Sequence, residues 1–127
     1  MQVATRPDIV ILATEWRARA LIRAQLIEEG FEVAATDTWA TMRSYLRPGS
    51  KPRLALVDLQ NLVGSQEILR DLTLLIEPGR VHVLRASATV TQREIEALGF
   101  GVLNRPITIE DIIAAVRAVL TSGIEAP

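Results

Sequence analysis

Leu54-Ala55-Leu56-Val57-Asp58 decides how this chain is read. Four apolar residues in an unbroken run, with no polar alternation, describe a strand covered on both faces, as strands of a parallel sheet are. The run ends on a carboxylate. Open α/β sheets collect their ligands and chemistry at the carboxyl ends of the strands, so Asp58 is the first candidate functional residue.

Working outward, the same pattern recurs. Pro48-Gly49-Ser50-Lys51-Pro52 is the loop that feeds this strand. Upstream, Ile9 to Ala13 is another apolar run of strand length. A helix is predicted over Glu15 to Glu29, with Ala18, Leu21, Ile22 and Leu26 on its core face, Gln25 as the polar exception and Gly30 as its stop. Phe31 to Ala35 reads as a short strand, and Asp37 or Thr38 caps a helix reaching about Leu46. Downstream of Asp58, an apolar helix carries Ile68, Leu69, Leu72, Leu75 and Ile76 and closes at Pro78-Gly79. Val81 to Leu84 is the fourth strand. Thr91 and Glu94 form a capping-box pattern for a helix that stops at Gly99. Val102-Leu103 is the fifth strand, and Thr108 caps a last helix whose core face is Ile109, Ile112, Ile113, Val116, Val119 and Leu120. Ser122 to Pro127 reads as a frayed tail. Five buried-type strands alternating with five helices predict the α/β class. The expected fold is a doubly wound, five-stranded parallel sheet in a single domain over 1–127, with its folded core at about 8–121.

Composition narrows the function. With 127 residues, 49% of them hydrophobic, the chain can bury one core. It has no cysteine, which excludes disulfides, thiolate metal sites and cysteine catalysis. A net charge of -1 without a basic block argues against nucleic acid as a partner. Short, charge-interrupted apolar runs argue against a membrane span, and Met1 to Asp8 lacks the layout of a secretory signal, so a cytoplasmic location is expected. His82 is the only histidine; inside an apolar strand it reads as a core or sheet-edge residue rather than a metal ligand. Ala13-Thr14-Glu15-Trp16-Arg17 has none of the glycines or clustered hydroxyls that cradle a phosphate, which leaves little for a flavodoxin-like small-ligand binder. Trp16 and Trp39 read as packing aromatics, Trp16 partly buried.

Three further stretches fall in order along these elements: Gly30-Phe31-Glu32-Val33, Lys51-Pro52-Arg53 leading into Leu54 to Leu59, and Leu103-Asn104-Arg105-Pro106. With them the chain resembles the receiver domain of bacterial two-component response regulators, a flavodoxin-like fold, over essentially its whole length. The resemblance implies that Asp58 is the phosphoacceptor equivalent and that Pro106 follows a cis peptide bond. It also implies where the rest of the phosphorylation machinery stands. Two carboxylates that hold Mg²⁺ in the family align with Ala13 and Thr14, with Glu15 one position late. The switch hydroxyl and switch aromatic align with Arg85 and Val102, and the lysine before proline aligns with Arg105.

Those substitutions carry a physical consequence. A carboxylate attacking an anionic phosphoryl group needs a cation to screen repulsion and stabilise the transferring oxygens. Mg²⁺ is anchored by carboxylates, and a threonine hydroxyl is a far weaker anchor. The expectation is therefore a divergent or pseudo-receiver with no metal, no cofactor and no catalytic residue, in which Arg85 or Arg105 pairs with Asp58. It would act in signal transduction by protein contacts, with a sensor kinase or output protein as partner, because no output domain follows the last helix. The resemblance also implies a homodimer face formed by the fourth helix, fifth strand and fifth helix. The competing expectation is a working phosphoacceptor that holds Mg²⁺ in an atypical pocket using Thr14 and Glu15. Glu15 has a plainer role too, as an acid favoured at the start of a helix.

Overall fold

The apolar run ending at Asp58 is a strand, β3 (Leu54–Asp58), buried at every position. The computed structural model describes residues 6–85, 90–104 and 106–125, with side chains to Thr121. Around β3 lie β1 (Ile9–Leu12), α1 (Trp16–Glu28), β2 (Val33–Thr36) and α2 (Trp39–Ser44) on the N-terminal side. On the C-terminal side follow α3 (Ser65–Leu75), β4 (Val81–Arg85), α4 (Gln92–Ala97), β5 (Gly101–Asn104) and α5 (Ile109–Glu125). The strands form one parallel sheet in the order β2-β1-β3-β4-β5. This is the doubly wound, single-domain arrangement expected from the strand and helix order.

The sheet buries both faces because successive strand side chains point to opposite sides. Val10, Leu12, Ala55, Val57, Val81 and Val83 pack with α2, α3 and α4 through Met42, Ile68, Leu69, Leu72 and Ile95. Ile9, Ile11, Leu54, Leu56 and Leu84 pack with α1 and α5 through Ile22, Leu26, Ile112, Val116 and Leu120. Position 58 continues the second set, so Asp58 belongs to the face covered by α1 and α5. No described helix is long and apolar enough to cross a membrane.

The helix ends follow the local chemistry of the sequence. Gly30, with φ of 97°, ends α1: its N–H donates to the Ile27 carbonyl and that of Phe31 to the Leu26 carbonyl. This is a Schellman closure, which needs a left-handed residue. Thr38 caps α2, and Thr91 with Glu94 forms the expected capping box on α4. Thr108 accepts from the Asp111 N–H while the Asp111 carboxylate accepts from the Thr108 N–H at the start of α5.

Three expectations change. The core face of α1 is Ala18, Ile22 and Leu26; Leu21 is 52% exposed and Trp16 62% exposed, neither a core residue. A helical period places Leu21 about 100° from Ile22, at the margin of the packed face rather than within it. The expected tail at Ser122 is helical as far as Glu125, since α5 has no glycine or proline stop before Gly123 and continues through it. Strand ends shift by a residue or two: β1 stops at Leu12 and β2 begins at Val33.

His82 lies on interior strand β4, half-buried, with its ring over Gly101 of β5, its register partner. A Cβ at position 101 would stand 2.6 Å from both Cε1 and Nε2 of that ring. Gly101 is therefore required by the imidazole beside it. We predict that Gly101→Ala destabilises the fold by about 1–3 kcal/mol, as overpacking does, in chemical denaturation. Most of that loss should disappear in a His82→Ala background.

Burial also lowers the His82 pKa below the ordinary value of 6.5, and Nδ1 has no hydrogen-bond partner among the described residues. The unfolded chain then takes up this proton more readily than the folded one. The contribution to stability is complete above pH 6.5 and is lost as pH falls from there through the lower folded value. Denaturation midpoints measured from pH about 7.5 down to about 5.5 should fall, and the slope should flatten in His82→Gln.

Candidate functional site

Asp58 ends β3 at the carboxyl edge of the sheet and is 2% exposed. Its Oδ1 accepts the Gln60 N–H at 3.0 Å, a side-chain turn that aspartate makes readily at a strand end. The Leu59 N–H continues the ladder onto the Leu84 carbonyl of β4 at 3.0 Å, which fixes the direction in which Asp58 leaves the strand. Asn61, with φ of 57°, then turns the chain toward α3.

One wall of Asp58 is apolar. A cleft of about 140 Å³ has Asp58 in its lining, with Ala18, Leu21 and Ile22 from α1, Leu84 from β4, and Ile107, Ile109 and Ile112 around the start of α5. A charge in such surroundings needs hydrogen bonds to remain buried, and Gln60 supplies one.

The end of β1 forms the other wall. Ala13 is fully buried and brings no donor or acceptor side chain. Thr14 donates its hydroxyl to the Gln60 carbonyl at 2.8 Å, tying the β1–α1 loop to the β3–α3 loop. The backbone of Gln60 thus holds Asp58 through its N–H and Thr14 through its carbonyl. Glu15 is the N-cap of α1, its Oε1 accepting the Arg17 N–H at 3.0 Å. Its carboxylate serves the helix start, the plainer of the two roles read from the sequence.

Arg19 was not singled out in the sequence. From the first turns of α1 its Nη1 donates to the Ala13 carbonyl at 2.7 Å and sits 3.5 Å from that of Thr14. A half-buried guanidinium therefore caps the end of β1, beside the position aligned with metal-binding carboxylates. The signal was present: Arg19, Ile22 and Leu26 share the i, i+3, i+7 spacing of one helix face. A cation on a core-facing stripe needs acceptors, and the open carbonyls of a strand end are the nearest.

Arg85 does not behave as expected. Its Nε donates to the Val90 carbonyl at 3.0 Å and its Nη1 to Asn104 Oδ1 at 3.0 Å. Asn104 in turn donates to Gln92 Oε1 at 2.8 Å. The guanidinium is directed into a polar chain joining β4, β5 and α4, because β5 ends in an amide that completes it. The predicted pairing of Arg85 with Asp58 is thereby corrected. Arg105, the other predicted partner, lies outside the described residues, and so does the peptide bond between it and Pro106. Val102 is half-buried and packs on the core shared with α2, α3 and α4. Trp39 packs there too, as a packing aromatic should.

The described residues contain no group of three or more histidine, aspartate or glutamate side chains able to surround a metal ion. At the end of β1 stand the Ala13 methyl, the engaged Thr14 hydroxyl, the capping Glu15 carboxylate and the Arg19 guanidinium, with Asp58 at the end of the neighbouring strand β3. These do not fit a divalent cation, which requires several free oxygen ligands.

No protein-family profile matches the chain, and no curated protein matches it in sequence. Solved structures do resemble it. The response regulator StyR superposes with a TM-score of 0.75 at 21% identity, over 95% of this chain and 62% of StyR. A response regulator receiver protein from Burkholderia phymatum gives 0.70 at 26% identity, over 94% of this chain and 97% of that one. A chain described as an adenylate cyclase from Rhodopirellula baltica gives 0.73 at 20% identity, covering 92% of this chain and 93% of that one. At such identities the likeness is one of fold, and this chain spans less than two thirds of StyR. In fold, the chain is similar to the receiver domains of response regulators.

Proposed function

We propose that this receiver domain signals through protein contacts, its Mg²⁺-dependent aspartyl-phosphorylation switch lost. In this reading Asp58 is the phosphoacceptor equivalent, Ala13, Thr14 and Glu15 are the degenerate acidic pocket, and Arg85 and Val102 occupy the switch positions. Arg105 stands for the lysine, and Pro106 for the proline after a cis bond. The chain catalyses no reaction, works in the cytoplasm as one domain over 1–127, and takes a sensor kinase or output protein as its partner.

The observation that carries the reading is the closed end of β1. The Thr14 hydroxyl is engaged with Gln60, the Glu15 carboxylate with the α1 backbone, and Arg19 places a cation at Ala13. A cation already fixed there repels a second one, and the Glu15 carboxylate beside it is committed to the start of α1. The relay is altered as well. Threonine-sized movement toward a phosphoryl group is denied to Arg85, held by Val90 and Asn104, and Val102 has no ring to reorient.

A working phosphoacceptor is the competing reading, favoured by Asp58 lining a cleft at the sheet edge. Incubating the chain with Mg²⁺ and a small phosphodonor such as acetyl phosphate separates the two. We predict an unchanged intact mass. The gain of one phosphoryl group, absent in Asp58→Asn, would establish the competing reading instead.

A further inference from the structure

The helix α1 carries apolar residues on the side that faces water. Trp16 is 62%, Leu21 52% and Ile27 43% exposed, so three of the five large exposed hydrophobic residues among those described lie on this one element. Trp16, Ala20, Ala24 and Ile27 follow i, i+4, i+8 and i+11, and all four are exposed. Residues at that spacing form one stripe on a helix, opposite the Ile22 and Leu26 face that packs on the sheet. The elements α4, β5 and α5 differ: their exposed side chains include Arg93, Glu96, Glu110 and Arg117, and among the described residues none of the large exposed hydrophobics lies on them.

We infer that the outer face of α1 is a self-association surface on which two copies of this chain pair antiparallel about a two-fold axis. The stripe is self-complementary in that sense alone. Antiparallel pairing about its midpoint sets Trp16 against Ile27 of the second copy and Ala20 against Ala24, large beside medium and small beside small. A two-fold repeats every contact in reverse, so one good match counts twice. The same pairing brings Arg17 opposite Glu28 of the second copy, both exposed and on one margin of the stripe. Parallel pairing would instead set the Arg17 and Glu28 margin against the opposite, Arg23 margin of the second copy, leaving the Arg17–Glu28 pairs unmade.

The Arg17 guanidinium lies 5.6 Å from the centre of the Trp16 ring. It is thus held along the stripe, near where the second copy's Glu28 would come. Arg23 borders the other margin, where its stem covers apolar surface while its charge reaches water. Two Arg23 side chains would share that margin, which holds the affinity down.

The size of the surface sets the same limit. A helix of 13 residues offers a stripe about 20 Å long. At one helix width, about 10 Å, the stripe covers on the order of 200 Å², well short of the roughly 800 Å² per partner of a standard stable interface. The dimer is accordingly weak, exchanging quickly and filling at concentrations on the order of 100 µM or above. This gives the proposed protein-contact reading one partner, a second copy, without depending on whether Asp58 is phosphorylated.

Sedimentation equilibrium of the full chain, from low micromolar to near millimolar, tests it. The expected result is a reversible monomer–dimer equilibrium that Ile27→Glu abolishes. Arg17→Glu alone and Glu28→Arg alone should each weaken association several-fold, and an equimolar mixture of the two should restore it. Because the chain contains no cysteine, Ala20→Cys and Ala24→Cys give an independent reading. Mixed under mild oxidation, they should form the 20–24 heterodisulfide in excess over either homodimer. A chain monomeric throughout, association untouched by Ile27→Glu, no recovery on mixing the charge variants, or disulfides formed without that preference would each overturn the inference.

Discussion

The site is organised by one constraint: a carboxylate buried at the tip of a central strand must be satisfied where water is scarce. The apolar residues of β3 place Asp58 there, and α1 and α5 cover it with aliphatic side chains. In that setting each neighbouring polar group has a large effect, because an unmet charge is costly at low dielectric. Among the described residues, the backbone N–H of Gln60 is one such neighbour. Gln60 holds Asp58 on one side and Thr14 on the other, so the two loops at the head of the site are tied together.

The second organising element is Arg19. A strand end in a parallel sheet leaves carbonyls open, and the guanidinium of α1 takes the Ala13 carbonyl at 2.7 Å. The loop that the resemblance associates with a bound cation is thus held by a cation the chain carries itself. Arg85 serves a similar mechanical purpose at the next strand ends, joining Val90 and Asn104 rather than turning to Asp58. In the proposed reading these arginines give the site a single, fixed shape, and the surface of the domain carries its signal.

Much of this was legible in the residues. The run Leu54 to Asp58, the βα alternation and the caps at Gly30, Thr38 and Thr91 give the sheet and its helices, since burial and capping are local properties of sequence. Asp58 stood out for the same reason. What escaped was set by long-range geometry. Leu21 was placed on the core face by its i+3 spacing from Ala18, yet at about 100° per residue it stands at the margin of the face centred on Ile22 and Leu26 and stays exposed. Trp16 likewise opens α1 with its ring facing water. The acceptors chosen by Arg19 and Arg85 depend on which backbone carbonyls the fold leaves open nearby, which spacing along the chain does not specify. Arg85 was offered, with Arg105, as a partner of Asp58 because both align to strand ends beside it, whereas the amide of Asn104 and the carbonyl of Val90 take the Arg85 guanidinium.

The proposal that the site does not seat a divalent cation is tested most directly by calorimetric titration of the purified chain with MgCl₂ at neutral pH. The account predicts only heats of dilution, the same for the wild-type chain and for Asp58→Asn. Saturable uptake by the wild-type chain that disappears in Asp58→Asn would contradict it.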